Sequence, residues 1–363
     1  MKVNLYKGCF SLIKKSGVGQ SIIHQKEMLE SMGVGIAERW SEPSDVVHFN
    51  AIFPDSFIAS LVARLQKKKI VYYGHSTMED FRNSFRFSNF FAPLFKRWIT
   101  LCYRQGDVII TPTEYSKKIL RGYGISRPIY SLSNGVNTDV FAPGPEHGAA
   151  FRKKYGLGPE DKAVISVGLY IERKGILDFI RLAREMPEVH FFWFGYTNLN
   201  LVPEKIRSAV EKAPENLCFP GYVEREELRD AYCGCNLFAF MSTEETEGIV
   251  VLEALACGTP TILRDIPVYD GWLEDGVNVY KAEDISMFTR KIRSMLNGRM
   301  TDLTGAGIRT ARGRSILEIG RKLMAIYEHE HIGSAPVFIQ RRTGCVLSDT
   351  ERKGHPLSGD VLR

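Results

Sequence analysis

Glu245-Thr246-Glu247-Gly248-Ile249-Val250-Val251-Leu252-Glu253, continuing into Ala254-Leu255-Ala256-Cys257-Gly258-Thr259-Pro260, sets two carboxylates eight positions apart around a glycine and an apolar run. The apolar run reads as a helix that begins near Gly248 and is stopped by Gly258 and Pro260. A glycine at a helix start lets a ligand approach bare backbone. The free N–H groups of the next residues, Ile249 and Val250, then face an anion such as a diphosphate. Glu245 precedes the helix and Glu253 lies more than one turn into it. They are too far apart along the chain to share a proton, yet both can face one ligand. Ionised carboxylates only accept hydrogen bonds, which suits them to sugar hydroxyls.

On both sides of this stretch, strand-like and helix-like segments alternate, which predicts an α/β protein with parallel sheets and helices on both faces. In the first half, Val3 to Tyr6 reads as a strand, and Gly17-Val18-Gly19 opens a helix running to about Met32. Asp45 to Phe49, Lys69 to Tyr73, Asp107 to Thr111 and Pro128 to Leu132 read as further strands. Phe141-Ala142-Pro143-Gly144-Pro145 is a Pro/Gly-rich linker. The pattern then restarts, with strands at Lys162 to Gly168, His190 to Phe194, Leu217 to Phe219, Asn236 to Met241 and Thr259 to Leu263. Helices are expected from Gly175, over Asp284 to Leu296 and over Arg314 to Glu330. The expected organisation is one domain over 1–142, a second over 143–332, and a polar Gly/Ser/Pro-scattered tail at 333–363 that is disordered or loosely attached.

The glutamate stretch resembles the nucleotide-sugar site of family-four retaining glycosyltransferases, which have the GT-B fold: two Rossmann-like doubly wound domains facing across a cleft. The resemblance implies that Glu245 contacts the donor sugar and Glu253 the nucleotide ribose. It makes Val167-Gly168-Leu169-Tyr170-Ile171-Glu172-Arg173-Lys174-Gly175 the diphosphate loop, with Gly168 at the strand end and Lys174 matching the family's lysine. The family usually carries Arg directly after the first glycine, where this chain has Leu169. Arg173 is expected to supply that guanidinium from the other side of the loop, since cations neutralise a departing diphosphate. Gly17 and Gly19 match the glycine-rich loop near the phosphates. His75, ending the strand in Tyr72-Tyr73-Gly74-His75-Ser76, matches the histidine beside the donor sugar. Ser133-Asn134-Gly135-Val136-Asn137-Thr138-Asp139 resembles the turn before the linker, with Asn137 where Asp is usual. Gly221-Tyr222-Val223 resembles the loop that holds the nucleobase, which points to a UDP-sugar donor. The implied reaction retains the anomeric configuration by a front-face route in which the leaving phosphate helps deprotonate the acceptor. The chain has no Asp-x-Asp string, so no metal and no cofactor are expected. Basic side chains and backbone dipoles take the metal's place.

Composition fits a folded soluble protein: 44% of the 363 residues are apolar and 25% charged. No apolar run approaches the roughly 20 residues that cross a bilayer. The N-terminus reads as a strand rather than a signal peptide. The expected location is therefore cytoplasmic and peripheral on the inner face of the cell membrane, where nucleotide sugars are available. The seven cysteines form no metal-like spacing and read as reduced thiols. Of the charged residues, 19 Lys+Arg and 11 Asp+Glu fall within 1–142, so a basic first half adjoins a nearly neutral second one. Such asymmetry points to an anionic partner, and charge alone admits lipid or nucleic acid.

The stretch from Phe81 to Gln105 favours lipid. It holds eight aromatic residues, five basic ones and no acidic one. Phe91, Leu94, Phe95, Trp98, Leu101 and Cys102 fall on one helical face, as an interfacial helix requires. Phe81, Arg82, Phe85, Arg86, Lys96 and Arg97 are the expected membrane-facing residues, and Lys67-Lys68-Lys69 adds charge that anionic headgroups attract. This half also resembles bacterial glycosyl-diacylglycerol synthases. The expected reaction is hexose transfer, glucose or galactose, to a lipid acceptor such as diacylglycerol or its monoglucosyl form. A polyprenyl-linked or polysaccharide acceptor is the alternative within enzymes. A non-catalytic basic protein that binds membrane or nucleic acid is the alternative outside them, and Glu245, Glu253 and Lys174 argue against it.

Overall fold

The computed structural model describes residues 1–9, 14, 16–84 and 87–332. Phe85, Arg86 and the tail 333–363 lie outside the described residues. The first half runs β1 (Lys2–Tyr6), α1 (Gly17–Ser31), β2 (Gly35–Ala37), β3 (Val46–Phe49), α2 (Pro54–Leu65), β4 (Lys69–Tyr73), α3 (Met78–Phe81), α4 (Ser88–Tyr103), β5 (Val108–Thr111), α5 (Glu114–Gly122) and β6 (Ile129–Ser131). The second half runs α6 (Pro145–Lys154), β7 (Ala163–Val167), a 3-10 turn at Glu172–Lys174, α7 (Ile176–Glu185), β8 (His190–Phe194), α8 (Glu204–Glu211), β9 (Leu217–Gly221) and α9 (Arg225–Gly234). It continues with β10 (Leu237–Phe240), α10 (Ile249–Ala256), β11 (Thr261–Arg264), β12 (Tyr280–Ala282), α11 (Ile285–Leu296), α12 (Thr304–Arg312) and α13 (Ile316–His329).

Each half forms a six-stranded sheet, in the orders β2-β1-β3-β4-β5-β6 and β12-β11-β10-β7-β8-β9. Neighbouring strands are parallel throughout, as in the pairs β1–β3 and β7–β8. Helices cover both faces, so the strands are near-continuous apolar runs rather than alternating ones. Lys69-Ile70-Val71-Tyr72-Tyr73 and His190-Phe191-Phe192-Trp193-Phe194 are each buried after their first residue. The strand order reverses between β1 and β3 in one sheet and between β7 and β10 in the other. Loops at such a reversal diverge and leave a crevice at the carboxyl ends of the strands. Gly168 and Glu245 follow β7 and β10, while the N-terminus of α1 and Asn50 follow β1 and β3. Both crevices therefore open toward one interdomain cleft.

The segment 141–145 runs between β6 and α6, but the sequence border does not follow the packing at the chain's far end. Helix α13 lies in the part assigned to the second domain, yet its Ile319, Leu323, Met324 and Tyr327 share a core with Val3, Leu5, Val46 and Val71 of the first sheet. Its Tyr327 hydroxyl also bonds the buried His48 ring. A parallel bridge between Val136 and Ser315 ties the outgoing and returning chains together.

Helix α4 departs from its expected amphipathic face. Ala92, Ile99, Cys102 and Tyr103 are buried, and Phe95 and Trp98 pack against the core beside them. Phe87, Phe90, Phe91, Leu94 and Leu101 point outward. The apolar stripe is wider than the surface available to cover it, so one edge packs and the other is left bare. Two expected membrane-facing residues are turned inward as well. Phe81 stacks on Phe95 with ring centroids 4.1 Å apart, and Lys96 lies over the Tyr123 ring at 4.5 Å. Arg82 and Arg97 are exposed.

Candidate active site

The interdomain cleft has a volume of about 310 Å³ and is lined from both domains. His75, Gly17 and Asp80 come from the first, and Gly168, Arg173, Lys174, Tyr222, Val223, Glu245, Gly248, Ile249, Val250 and Glu253 from the second. Gly19 is the one candidate that does not line it. Ser16 caps α1 by accepting a hydrogen bond from the Gly19 N–H at 3.4 Å, so Gly19 is buried inside the first turn.

Two glycines set the geometry of the second-domain loops. Gly248 caps α10 at φ 88°, in the left-handed region, and no side chain caps the helix. The first N–H groups of α10 are thus left for a ligand, and an unsatisfied helix N-terminus favours an anion. Gly175 ends the loop after β7 at φ 79°, where an added Cβ would sit 2.4 Å from the Met241 carbonyl. The loop after β7 is thereby pressed against the end of β10, and only glycine permits both the angle and the approach.

That contact brings Lys174 and Glu245 together as an ion pair. Both are largely buried, with Glu245 6% exposed. Burial alone would raise the Glu245 carboxyl, but Lys174 and Arg173 hold it below its ordinary value. Burial lowers the Lys174 ammonium, and Glu245 opposes that shift. The pair is a preformed charge centre beside the open helix end.

Arg173 takes a different course from the one expected of it. Its Nη1 donates to the Glu244 carbonyl at 2.7 Å and pairs with Asp80 Oδ1 at 2.8 Å, while Nε donates to Ser84 Oγ at 3.2 Å. Its own carbonyl accepts from the Thr243 N–H at 2.8 Å and from Ser242 Oγ at 3.1 Å. Arg173 therefore bridges the loop after β7, the segment that carries Glu245, and the first domain.

His75 is 7% exposed, and burial pushes its imidazole down to about 4, so it is neutral near pH 7. Its Nε2 lies 2.8 Å from Asn50 Oδ1. Asn50 exchanges two hydrogen bonds with Gln25, and its Oδ1 already accepts from Gln25 Nε2 at 2.6 Å. With Asn50 Oδ1 turned toward the ring, an amide oxygen can only accept, and this orientation places the His75 proton on Nε2 and leaves Nδ1 its lone pair. Glu253 is 4% exposed, and burial lifts its carboxyl to about 7, against the Tyr232 hydroxyl that donates to it at 3.2 Å and the nearby Arg225.

Several residues that shape the cleft were passed over in the sequence. Glu247, 1% exposed, accepts from both the backbone and side-chain nitrogens of Asn134, at 2.9 and 2.8 Å, and faces Arg314 at 3.6 Å. Burial lifts the Glu244 carboxyl to about 7, and the Tyr115 hydroxyl bonds it from the first domain at 2.9 Å. Arg225 pairs with Glu27 across the domains at 2.8 Å. Asp80 completes the set. Glu247 lies within the Glu245–Glu253 stretch and Glu244 immediately precedes it. Nothing in the sequence shows that their partners are Tyr115 and Asn134, more than a hundred positions earlier. Among the described residues, no group of three or more His, Cys, Asp or Glu side chains has the arrangement of a metal site.

Residues 149–309 match the family described as Glycosyl transferases group 1, and residues 34–140 match Glycosyltransferase Family 4. The chain is 40% identical over 330 residues to the processive diacylglycerol alpha-glucosyltransferase of Acholeplasma laidlawii, covering 90% of this chain and 98% of that one. It is 29% identical over 245 residues to the alpha-galactosylglucosyldiacylglycerol synthase of Streptococcus pneumoniae, covering 66% and 65%. Among solved structures, HepE of Anabaena in complex with UDP-glucose superposes with a TM-score of 0.73 at 15% identity, covering 90% of this chain and 99% of that one, a likeness of fold. With two doubly wound domains, a cleft at both strand-order reversals and these matches along the chain, the protein belongs to the family-four glycosyltransferases of GT-B fold.

Proposed function

We propose that the protein transfers a hexose from a UDP-sugar, with retained configuration, to a glycolipid acceptor such as diacylglycerol or its monoglucosyl form, at the inner face of the cell membrane. The observation that carries the lipid acceptor is a bare apolar surface on the first domain. Twelve large apolar side chains are exposed among the described residues, and eight of them lie on α2 and on α4 with its preceding residue. They are Ile58, Leu61 and Leu65, and Phe87, Phe90, Phe91, Leu94 and Leu101. The two helices are neighbours, joined by the packing of Phe57 on Trp98 and by a hydrogen bond from Arg64 to the Gln105 carbonyl. Lys67, Lys69, Arg97 and Arg104 are exposed around them. Exposed apolar side chains on two neighbouring helices, with exposed basic residues near them, suit an anionic bilayer, and no helix among the described residues is long and apolar enough to cross one. The processive diacylglycerol alpha-glucosyltransferase supports the same acceptor.

In this reading the donor diphosphate lies against Lys174 and the N-terminus of α10, Glu245 accepts from sugar hydroxyls, and Glu253 accepts from the ribose. Tyr222 and Val223 line the base subsite. Neutral His75 offers Nδ1 as an acceptor without placing a second cation beside the leaving group. The departing negative charge meets Lys174 and fixed backbone dipoles, which act strongly because they are already oriented and largely dry. Arg173 assists by holding the loops, not by contacting the phosphates. No metal ion has a task left to perform.

The test pairs UDP-glucose and UDP-galactose in turn with diacylglycerol and α-glucosyl-diacylglycerol in mixed micelles. Lipid chromatography reads the product and NMR reads the anomeric configuration. A glycolipid with an α linkage is expected from one donor. Donor hydrolysis without lipid product would move the acceptor to a glycan or polyprenyl carrier.

A further inference from the structure

Among the residues lining the cleft, Asp80 is the one carboxylate supplied by the first domain. It sits on α3, whose N-terminus is capped by Thr77, the side chain accepting from the Asp80 N–H at 3.0 Å. Two more bonds from this segment fix its backbone. The Met78 N–H donates to the Tyr123 hydroxyl at 2.7 Å, and Ser84 Oγ donates to the Asp80 carbonyl at 2.8 Å. Arg173 Nη1 engages Asp80 Oδ1 at 2.8 Å and stands 3.8 Å from Glu245 Oε1. Two carboxylates, one from each domain, thus flank a single guanidinium nitrogen. Among the described residues no hydrogen bond to Oδ2 of Asp80 is found, and the side chain is 25% exposed in the cleft.

The chain leaves this spot directly for the bare apolar surface. Phe81 follows Asp80 and stacks on Phe95 of α4, and the exposed Phe87, Phe90 and Phe91 come next. An acceptor whose tails rest in a bilayer must present its hydroxyl from this side. A donor sugar held by Glu245 lies on the other.

We propose that Asp80 orients the acceptor: its Oδ2 accepts a hydrogen bond from the hydroxyl of the incoming glycolipid, while Arg173 fixes Oδ1. This assignment rests on the lipid-acceptor reading above. As the acceptor oxygen bonds to the anomeric carbon, the bond from that carbon to the diphosphate breaks, and its electron pair leaves with the nucleoside diphosphate. The hydroxyl proton passes to the departing phosphate oxygen. Asp80 gains no proton and forms no bond to the sugar. Its work is to aim the lone pair of the acceptor oxygen. Burial raises the Asp80 carboxyl and the Arg173 guanidinium opposes that rise, and in its ionised form it holds a hydroxyl more firmly than a neutral acceptor does.

The test compares Asp80→Asn and Asp80→Glu with the wild type in steady-state transfer to micellar α-glucosyl-diacylglycerol, alongside UDP binding by calorimetry. For Asp80→Asn, a fall of about ten- to hundredfold in kcat/KM for the acceptor is expected, the range for losing a hydrogen bond to a charged group. The UDP Kd and the donor KM should stay within about twofold. Asp80→Glu should recover part of the loss. Thermal melting checks that both variants fold. Parallel weakening of UDP binding and transfer would overturn the proposal, because Asp80 would then act only by holding Arg173 and the donor loops. Unchanged acceptor kinetics would overturn it too. The lipid reading fails separately, on the wild type alone, if no glycolipid forms. Asp80 is then judged on octyl α-glucoside, where the same selective loss supports the assignment and its absence overturns it.

Discussion

Glu253→Gln should make the ligand-free protein more stable above pH 7 while weakening its grip on UDP. Burial raises the Glu253 carboxyl from 4.5 to about 7, and Tyr232 and Arg225 oppose that rise only in part. The native state therefore holds an extra proton between those values. Its contribution to stability is present below about pH 4.5 and is lost as pH rises through about 7. One pKa unit corresponds to about 1.4 kcal/mol, so the native fold gives up roughly 3 kcal/mol between pH 5 and pH 8 at this residue. Glutamine copies the shape of the protonated acid and can accept from the Tyr232 hydroxyl, but it never ionises. Urea or thermal unfolding of both proteins without ligand should show nearly equal stability at pH 5. By pH 8 the variant should lead by roughly 3 kcal/mol, a shift of several degrees in Tm. Glu244 titrates in the same window and is common to both proteins, so it cancels in the comparison. Calorimetry with UDP should show weaker binding by the variant, since a ribose hydroxyl loses its carboxylate partner. A stability difference equal at pH 5 and pH 8, or a variant less stable at pH 8, would show that Glu253 is ionised normally in its pocket.

Glu245→Gln keeps the side-chain volume but leaves Lys174 buried beside a neutral amide. Transfer should fall by about 10²-fold or more, with a stability loss of a few kcal/mol read by denaturant unfolding; near-normal turnover would remove Glu245 from the site. Replacing Phe90, Phe91 and Leu94 together by Ser removes three exposed side chains from the proposed lipid contact. A fully inserted phenylalanine contributes about 1.5–3 kcal/mol, so vesicle flotation should weaken more than about tenfold, and unchanged flotation would clear α4 of that role. Excess chelator should leave the rate of glycolipid formation unaltered, and inhibition reversed by magnesium would refute a metal-free transition state.

Much of the architecture is legible because parallel strands buried on both faces are unbroken apolar runs. Lys69–Tyr73 and His190–Phe194 match their strands residue for residue. β2 and β12 went unseen because Gly-Ile-Ala and Tyr-Lys-Ala carry no apolar run that marks a buried strand. The close approach of Gly175 to the Met241 carbonyl is not readable in the sequence, whereas Gly248 is readable there as a place where backbone meets a ligand. Gly19 was not, because the Ser16 cap begins the helix before it. Helix α4 shows the limit of a periodicity argument. The sequence reveals a wide apolar face but not how much of it the neighbouring sheet can cover, so Phe95 and Phe91 look alike in the sequence and have opposite surroundings in the fold. Nor does the order of elements tell that α13 returns to the first sheet.

Arg173 illustrates why a motif names residues better than it names their work. Next to Lys174 in a diphosphate loop, a guanidinium reads as a phosphate ligand, and the missing arginine at Leu169 strengthens that reading. The buried Arg173 side chain must satisfy its N–H groups where it lies, because an unpaired buried donor is costly. Asp80, Ser84 and the Glu244 carbonyl satisfy them, and two of these three come from the other domain. Tyr115 on Glu244, Asn134 on Glu247 and Glu27 on Arg225 repeat the arrangement around the cleft. Each pairs a charged second-domain side chain near the donor site with a first-domain residue, and in Glu244 and Glu247 burial opposes ionisation. Opening the cleft would therefore strip partners from several charges at once. In the proposed reading, the donor site is electrostatically complete only when the first domain is seated on it, which ties readiness for transfer to the domain that carries the bare apolar surface.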